Sequence, residues 1–243
     1  MIFIDAHNFI KRIYHGGGNP YDLFYNTMVK YQDIEVEVVC DGPSSRAYRK
    51  AIHPGYKAGR DGGEDPVYWE VYNNCKELAL CFVKTKVIDM TAGEADDYIA
   101  LAAVKGDTVI SNDKDLWPLV EDGINILLNA STKVDLELIE MKFGVQTPHL
   151  IYLYKALVGD TSDKIPGKRG FGQAAWEKMP FEDKALYYNH FNIGNFEYDD
   201  KIMTEQAIMS WKLARPYTDF KFEKTDSSPC NPIEWINEKG IVL

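Results

Sequence analysis

Short apolar runs alternate along this chain with longer stretches of helical period, and that alternation limits the possible folds more than any other feature. Residues 2–4, 35–40, 86–90, 108–111 and 124–129 read as short buried strands. Residues 22–31, 68–82, 94–104 and 115–121 carry the apolar spacing of helices. Strands alternating with helices imply an α/β fold, a mainly parallel sheet flanked by helices. Strand signals fade after about residue 135. Residues 135–143, 148–158, 173–178, 182–191 and 204–214 read as helices, which makes the final third a C-terminal helical lobe. The segment holding Pro216, Pro229 and Pro232 has no readable period.

With 243 residues the chain is long enough for one large domain or two closely packed lobes. No apolar stretch approaches the ~20 residues of a membrane helix, and no basic leader precedes the first apolar run. A cytoplasmic protein with no membrane partner is the expectation. Cys40, Cys75, Cys81 and Cys230 form neither a CxxC pair nor a zinc-like cluster, so reduced thiols without a disulfide are expected.

On this map the acidic residues fall at equivalent points. Asp5 follows the first strand, Asp41 the second and Asp113 the fourth, each at a carboxyl end, where open α/β sheets line their ligand crevice. Singly, each fits a helix cap or a turn. Glu94, Asp96 and Asp97 crowd three carboxylates into GEADD. A capping box, with Thr91 as N-cap and Glu94 reaching back to it, would account for them, since acids favour the positive helix end. Two further pairs shift the balance: Asp113 with Asp115 in SNDKDLWPLV, and Asp160 with Asp163 in VGDTSDKIPG. Three acidic clusters at element edges can converge into one crevice. Carboxylates without a Cys or His cluster select hard cations such as Mg²⁺ over zinc.

A formal charge of −10 argues against an anionic partner until its distribution is considered. The run GPSSRAYRKAIHPGYKAGR, from Gly42 to Arg60, holds Arg46, Arg49, Lys50, Lys57 and Arg60 and no acid. With Tyr48 and Tyr56 interleaved, it reads as a phosphate-facing surface or as a solvated basic face. Setting aside the nine acids named above leaves 28 of the 37 against 27 Lys plus Arg. The acidity is thus largely that of the candidate site.

The stretches HPGYKAGR, GEADD, SNDKDLWPLV and VGDTSDKIPGKRGFG resemble, in order and spacing, the motifs of the flap endonuclease and 5′ to 3′ exonuclease family. That family includes the N-terminal nuclease domain of bacterial DNA polymerase I and standalone phage exonucleases. The resemblance runs from Asp5 to about Trp176. It implies a PIN-like α/β nuclease core over residues 1–140, containing an arch or gateway segment at 46–82, and a helix-hairpin-helix-like, duplex-DNA-binding lobe over 141–243.

The resemblance also implies roles for residues. Asp5, Asp41, Glu94, Asp96 and Asp97 would hold a first Mg²⁺ or Mn²⁺, and Asp113, Asp115, Asp160 and Asp163 a second. Lys57 and Arg60, matching YKxxR and expected three apart on a helix, would stabilise transition-state charge. Arg46, Arg49 and Lys50 would contact phosphates, while Tyr56 either stacks on a terminal base or packs beneath the helix. Residues 61–66 would form a gateway or a plain surface loop. Lys164, Gly167, Lys168, Arg169, Gly170 and Gly172 would grip duplex DNA, with K⁺ on the carbonyls of the 159–172 loop. Here the chain departs from the family: Lys168-Arg169 stands where an apolar residue and a small residue or proline are usual, and Phe171 where Ile is usual.

The implied function is metal-dependent cleavage near the 5′ ends of nicked or flapped DNA, with RNA–DNA hybrids among the partners, by a monomer in a bacterial or phage-infected cell. A catalytically silent relative that binds branched DNA is the alternative, although all nine acids are present. An Asp-nucleophile phosphatase would carry DxD after its first strand, whereas Asp5 is followed by Ala6-His7.

Overall fold

Five parallel strands coincide with the five apolar runs: β1 (Ile2–Asp5), β2 (Val36–Cys40), β3 (Thr85–Ala92), β4 (Thr108–Ile110) and β5 (Asn125–Leu128). The computed structural model in which they are seen describes residues 1–59, 63 and 65–243. Two further strands, β6 (Thr132–Lys133) and β7 (Lys221–Asp226), close the edges antiparallel, giving one mixed sheet in the order β6-β5-β4-β1-β2-β3-β7. Ile2 of β1 lies level with Val36 on one side and Thr108 on the other. The strand order reverses direction at β1, so a crevice opens at the carboxyl ends of β1 and β4.

Eleven α-helices are described: α1 (Ala6–His15), α2 (Pro20–Lys30), α3 (Ala47–Ile52), α4 (Pro66–Leu80), α5 (Ala95–Ala102), α6 (Leu136–Phe143), α7 (Leu150–Leu157), α8 (Gln173–Lys178), α9 (Phe181–Ile193), α10 (Glu205–Ala214) and α11 (Pro232–Glu238). Alternation along the strands divides the core between the two faces. Ile2, Ile4, Val38, Cys40 and Val87 pack with Phe9, Ile10, Phe24, Met28, Tyr68 and Leu78 from α1, α2 and α4. Phe3, Val39, Ile88, Val109 and Ile126 pack instead with Ile99, Ile151, Leu153, Trp176 and Trp211. Each such fully buried side chain contributes ~1.5–3 kcal/mol relative to exposure. The second cluster joins residues on both sides of position 140, so packing is continuous there.

Several expectations need correction. The final third is not purely helical, because β7 returns to pair with β3 at the sheet edge. Its sequence, KFEKTD, is exposed throughout, and a charged edge strand has no buried face to produce a legible alternation. The expected helix around Lys57 and Arg60 is absent over its described residues: positions 54–59 form turns, and Lys57 itself has φ 48°. Arg60 lies outside the described residues, as do positions 61, 62 and 64 of the expected gateway. The stretch read as helix at 115–121 is a 3₁₀ helix, Lys114–Val120, with Pro118 removing an α-type donor from its interior.

The thiols also depart from expectation. Cys81, at the end of α4, is disulfide-bonded to Cys230, just before α11, with Cα atoms 4.6 Å apart. The fold brings together residues separated by 149 positions, a proximity that cysteine spacing alone does not show. Cys40 and Cys75 are free and buried, as read.

Candidate active site

The acids converge because five chain segments reach the same edge of the sheet. Asp5 ends β1, Asp41 follows β2, Glu94 to Asp97 open α5 after β3, and Asp113 and Asp115 follow β4. Asp160 and Asp163 arrive on the loop after α7, where Asp160 and Ile165 exchange two 2.8 Å backbone hydrogen bonds. Gly159 and Gly167 permit that tight loop: a Cβ on Gly167 would lie 2.5 Å from the nitrogen of Gly159. Both have positive φ, 94° and 67°.

Asp5 is buried, accepting from Ser111 Oγ at 2.8 Å and from the Asn8 N–H at 3.2 Å. Desolvation, followed by Asp41 and Asp113, pushes its carboxyl up from 3.8 to about 7. Asp41 is likewise raised, by burial and then by Glu94, and accepts from the Ala95 N–H at 2.8 Å. Burial and Asp115 raise Asp113 to about 6. Asp96 is raised well above the carboxylate range by burial, Asp97 and Glu94, and its buried Oδ1 has no hydrogen-bond partner. An orphaned carboxylate oxygen among other carboxylates is costly unless a cation compensates it.

Three buried cations offset part of this charge. Glu94 accepts from Lys57 Nζ at 2.7 Å, Arg49 Nη1 at 2.8 Å and Tyr56 Oη at 2.9 Å. Despite burial, Lys57 and Arg49 hold its carboxyl below the usual value. Lys57 also approaches Asp163 Oδ2 at 3.7 Å. Lys155 lies between Asp115 and Asp160, bonding Asp115 and approaching Asp160 Oδ2 at 2.8 Å. It overrides burial to hold Asp115 and Asp160 low. Around it, oxygens of Asp115, Asp160 and Asp163 fall within 4.8 Å of one another, a spacing that suits a hard divalent ion. The oxygen-only donor set and the orphaned Asp96 oxygen therefore fit Mg²⁺ or Mn²⁺.

Asp97 stands apart from the other acids. Its two oxygens accept from Arg49 Nη1 and Nη2, the Glu94 N–H and the Tyr217 N–H, at 2.6 to 2.9 Å, which fills its acceptor positions. The capping arrangement is consequently shifted from the expected one. Glu94, not Thr91, is the N-cap, and Asp97 reaches back to it, because Gly93 at φ 83° breaks the chain direction just before the helix.

The basic run is divided by burial. Arg49 is 4% exposed and Tyr56 1%, so both belong to the interior of the site, and Tyr56 packs beneath the basic segment rather than offering a face to a base. Arg46 and Lys50 are half-buried, with Arg46 Nε 3.8 Å from Glu94 Oε1. Lys164, Arg169 and Gly170 are exposed, Lys168 is half-buried, and Gly172 caps α8. Gly167 turns inward instead, its N–H donating to the buried Ser210 Oγ at 3.1 Å.

Sequence reading missed two contributors. Ser111 bonds Asp5 and accepts from the Asp113 N–H at 3.0 Å, joining two strand ends. Lys155 is a lone charge in the otherwise apolar helix LIYLYKAL, and that isolation was the available signal, because a lysine is seldom buried unless paired.

The family model described as 5′-3′ exonuclease, N-terminal resolvase-like domain, matches residues 1–144. DNA polymerase I of Borreliella burgdorferi is 30% identical over 241 residues, covering 88% of this chain but 26% of the polymerase, so the chain spans about a quarter of that relative. Flap endonuclease Xni of Shewanella pealeana is 28% identical over 258 residues, covering 93% of this chain and 98% of that protein. The solved structure of T5 5′-exonuclease with zinc bound has the same fold, at TM-score 0.60 and 19% identity over 88% of this chain and 86% of its own.

Proposed function

The chain belongs to the 5′-3′ exonuclease family, and from that premise we propose that it is a divalent-metal-dependent nuclease acting near the 5′ ends of nicked or flapped DNA. The observation that carries the proposal is the convergence of carboxylates from five segments on one crevice, with Asp96 Oδ1 buried and unpartnered. Asp5, Asp41, Glu94 and Asp96 would hold one Mg²⁺ or Mn²⁺, and Asp113, Asp115, Asp160 and Asp163 a second. Such ions, if bound there, would lower the pKa of a bound water so that hydroxide is available to attack phosphorus, and would offer positive charge to the leaving oxygen. No protein nucleophile is then needed.

The protein's own groups do the rest. Ser111 and Asn8 orient Asp5, and the Ala95 N–H orients Asp41. Arg49 fixes Glu94 and Asp97 against the C-terminal end of α10. Lys57 offers a desolvated ammonium to the charge that develops on the scissile phosphate, an interaction stronger in the transition state than in the ground state. Arg60 is assigned the same task from its place in YKxxR. Arg46 and Lys50 at the rim, with Lys164, Lys168 and Arg169, would hold backbone phosphates. Residues 141–243 would act as the duplex-binding lobe and 46–82 as the arch.

The test uses purified protein with 5′-labelled flap, nicked and single-stranded DNA, in Mg²⁺ or EDTA. Mg²⁺-dependent release of 5′ mononucleotides and short flaps is the expected result. Binding without turnover would identify a silent DNA-binding relative and overturn the proposal.

A further inference from the structure

We infer that Trp69 is a stacking platform that positions an unpaired nucleobase at the mouth of the crevice. This inference rests on the nuclease reading above. α4 opens with three aromatic residues, and their burial differs. Tyr68 is fully buried and Tyr72 is 5% exposed, whereas the Trp69 indole is left 41% exposed.

Two neighbours locate that ring relative to the acids. The His7 ring, two residues beyond Asp5, lies 5.9 Å away and only 32° from parallel. Tyr72, at 5.5 Å, meets Trp69 edge-on, and its own hydroxyl is buried beside Cys40 and Asp41. Trp69 therefore overlooks the ends of β1 and β2, which carry Asp5 and Asp41. Tyr68 touches it from a third side at 5.1 Å and is itself tied to His7 Nδ1 at 3.1 Å. A ring held on three sides loses little conformational freedom when a partner covers its remaining face. Of the groups a nuclease substrate presents near a strand end, an unstacked base fits an open indole best. Such stacking tolerates any sequence, because every base has a π-face.

The experiment uses the full chain in Mg²⁺ and a nicked duplex with a short 5′ flap. A tetrahydrofuran abasic residue replaces either nucleotide flanking the scissile phosphate, and kcat/KM is measured for wild type, Trp69→Ala and Trp69→Phe. Wild type should lose ~10-fold when the base is absent at one of the two positions. Trp69→Ala should lose a similar factor on the intact substrate and nothing further on the abasic one, while Trp69→Phe keeps most of the rate. If Trp69→Ala lowers the rate by the same factor on both substrates, the ring serves the arch or a protein partner and the inference is overturned. Indifference of wild type to both abasic positions overturns it too. Absence of any cleavage by wild type would instead bring down the nuclease reading, and the inference with it.

Discussion

Replacing Arg49 by Met should unfold the site from within rather than weaken its hold on DNA. All five guanidinium N–H bonds are used: Nε to Leu213 O at 3.0 Å, Nη1 to Glu94 Oε2 and Asp97 Oδ2, and Nη2 to Asp97 Oδ1 and Arg215 O. Methionine fills much of the same volume but leaves Asp97, fully buried, with two backbone donors and no cation. Removing one partner of a buried ion pair costs ~3–5 kcal/mol. For a chain of this size that corresponds to a fall of ~6–20 °C in Tm. Thermal unfolding followed by circular dichroism measures it, with Arg49→Lys expected in between because it keeps the charge and gives up the fork. A variant melting within about 2 °C of wild type, with weakened DNA binding that low salt restores, would refute the reasoning and make Arg49 a phosphate contact.

Asp113→Asn or Asp160→Asn should abolish or severely slow cleavage while DNA binding in Ca²⁺ persists, and near-normal turnover by either would contradict the metal assignment. Asp5 and Asp113 are protonated in the fold up to about 7 and about 6, against 3.8 for a free carboxyl, so the stability they confer is present at low pH and lost as pH rises through those values. In EDTA, Tm should therefore decline between pH ~4 and 7 while Mg²⁺ affinity rises over the same range; a flat Tm profile with pH-independent binding would count against it. Glu94, Asp115 and Asp160, held low against burial by Lys57, Arg49 and Lys155, act in the opposite sense only at more acid pH. Exchanging Lys168 and Arg169 together for Ala should weaken duplex binding irrespective of sequence and make the salt slope shallower by about one to two, and an unchanged slope would return both to the solvated surface.

The parallel sheet was legible because buried strands announce themselves as apolar runs, and the acids were legible because they sit at the strand ends where α/β crevices form. Charge compensation was not. Arg49 looks like a surface residue in a basic run and Tyr56 reads equally as a stacking or a packed ring, and only the fold turns both inward against Glu94. Asp97 is indistinguishable from Asp96 in GEADD, yet one is saturated by protein donors and the other has a bare oxygen. β7 and the Cys81–Cys230 bond depend on contacts across more than a hundred residues, for which local period carries no signal.

The central claim is that these carboxylates form a divalent-cation site, and Mn²⁺ located by anomalous diffraction in crystals of the full chain tests it most directly. The account predicts peaks inside the crevice, one beside Asp96 Oδ1 and one among Asp115, Asp160 and Asp163. Crystals soaked at Mn²⁺ concentrations that support cleavage, yet showing no peak there, would contradict it.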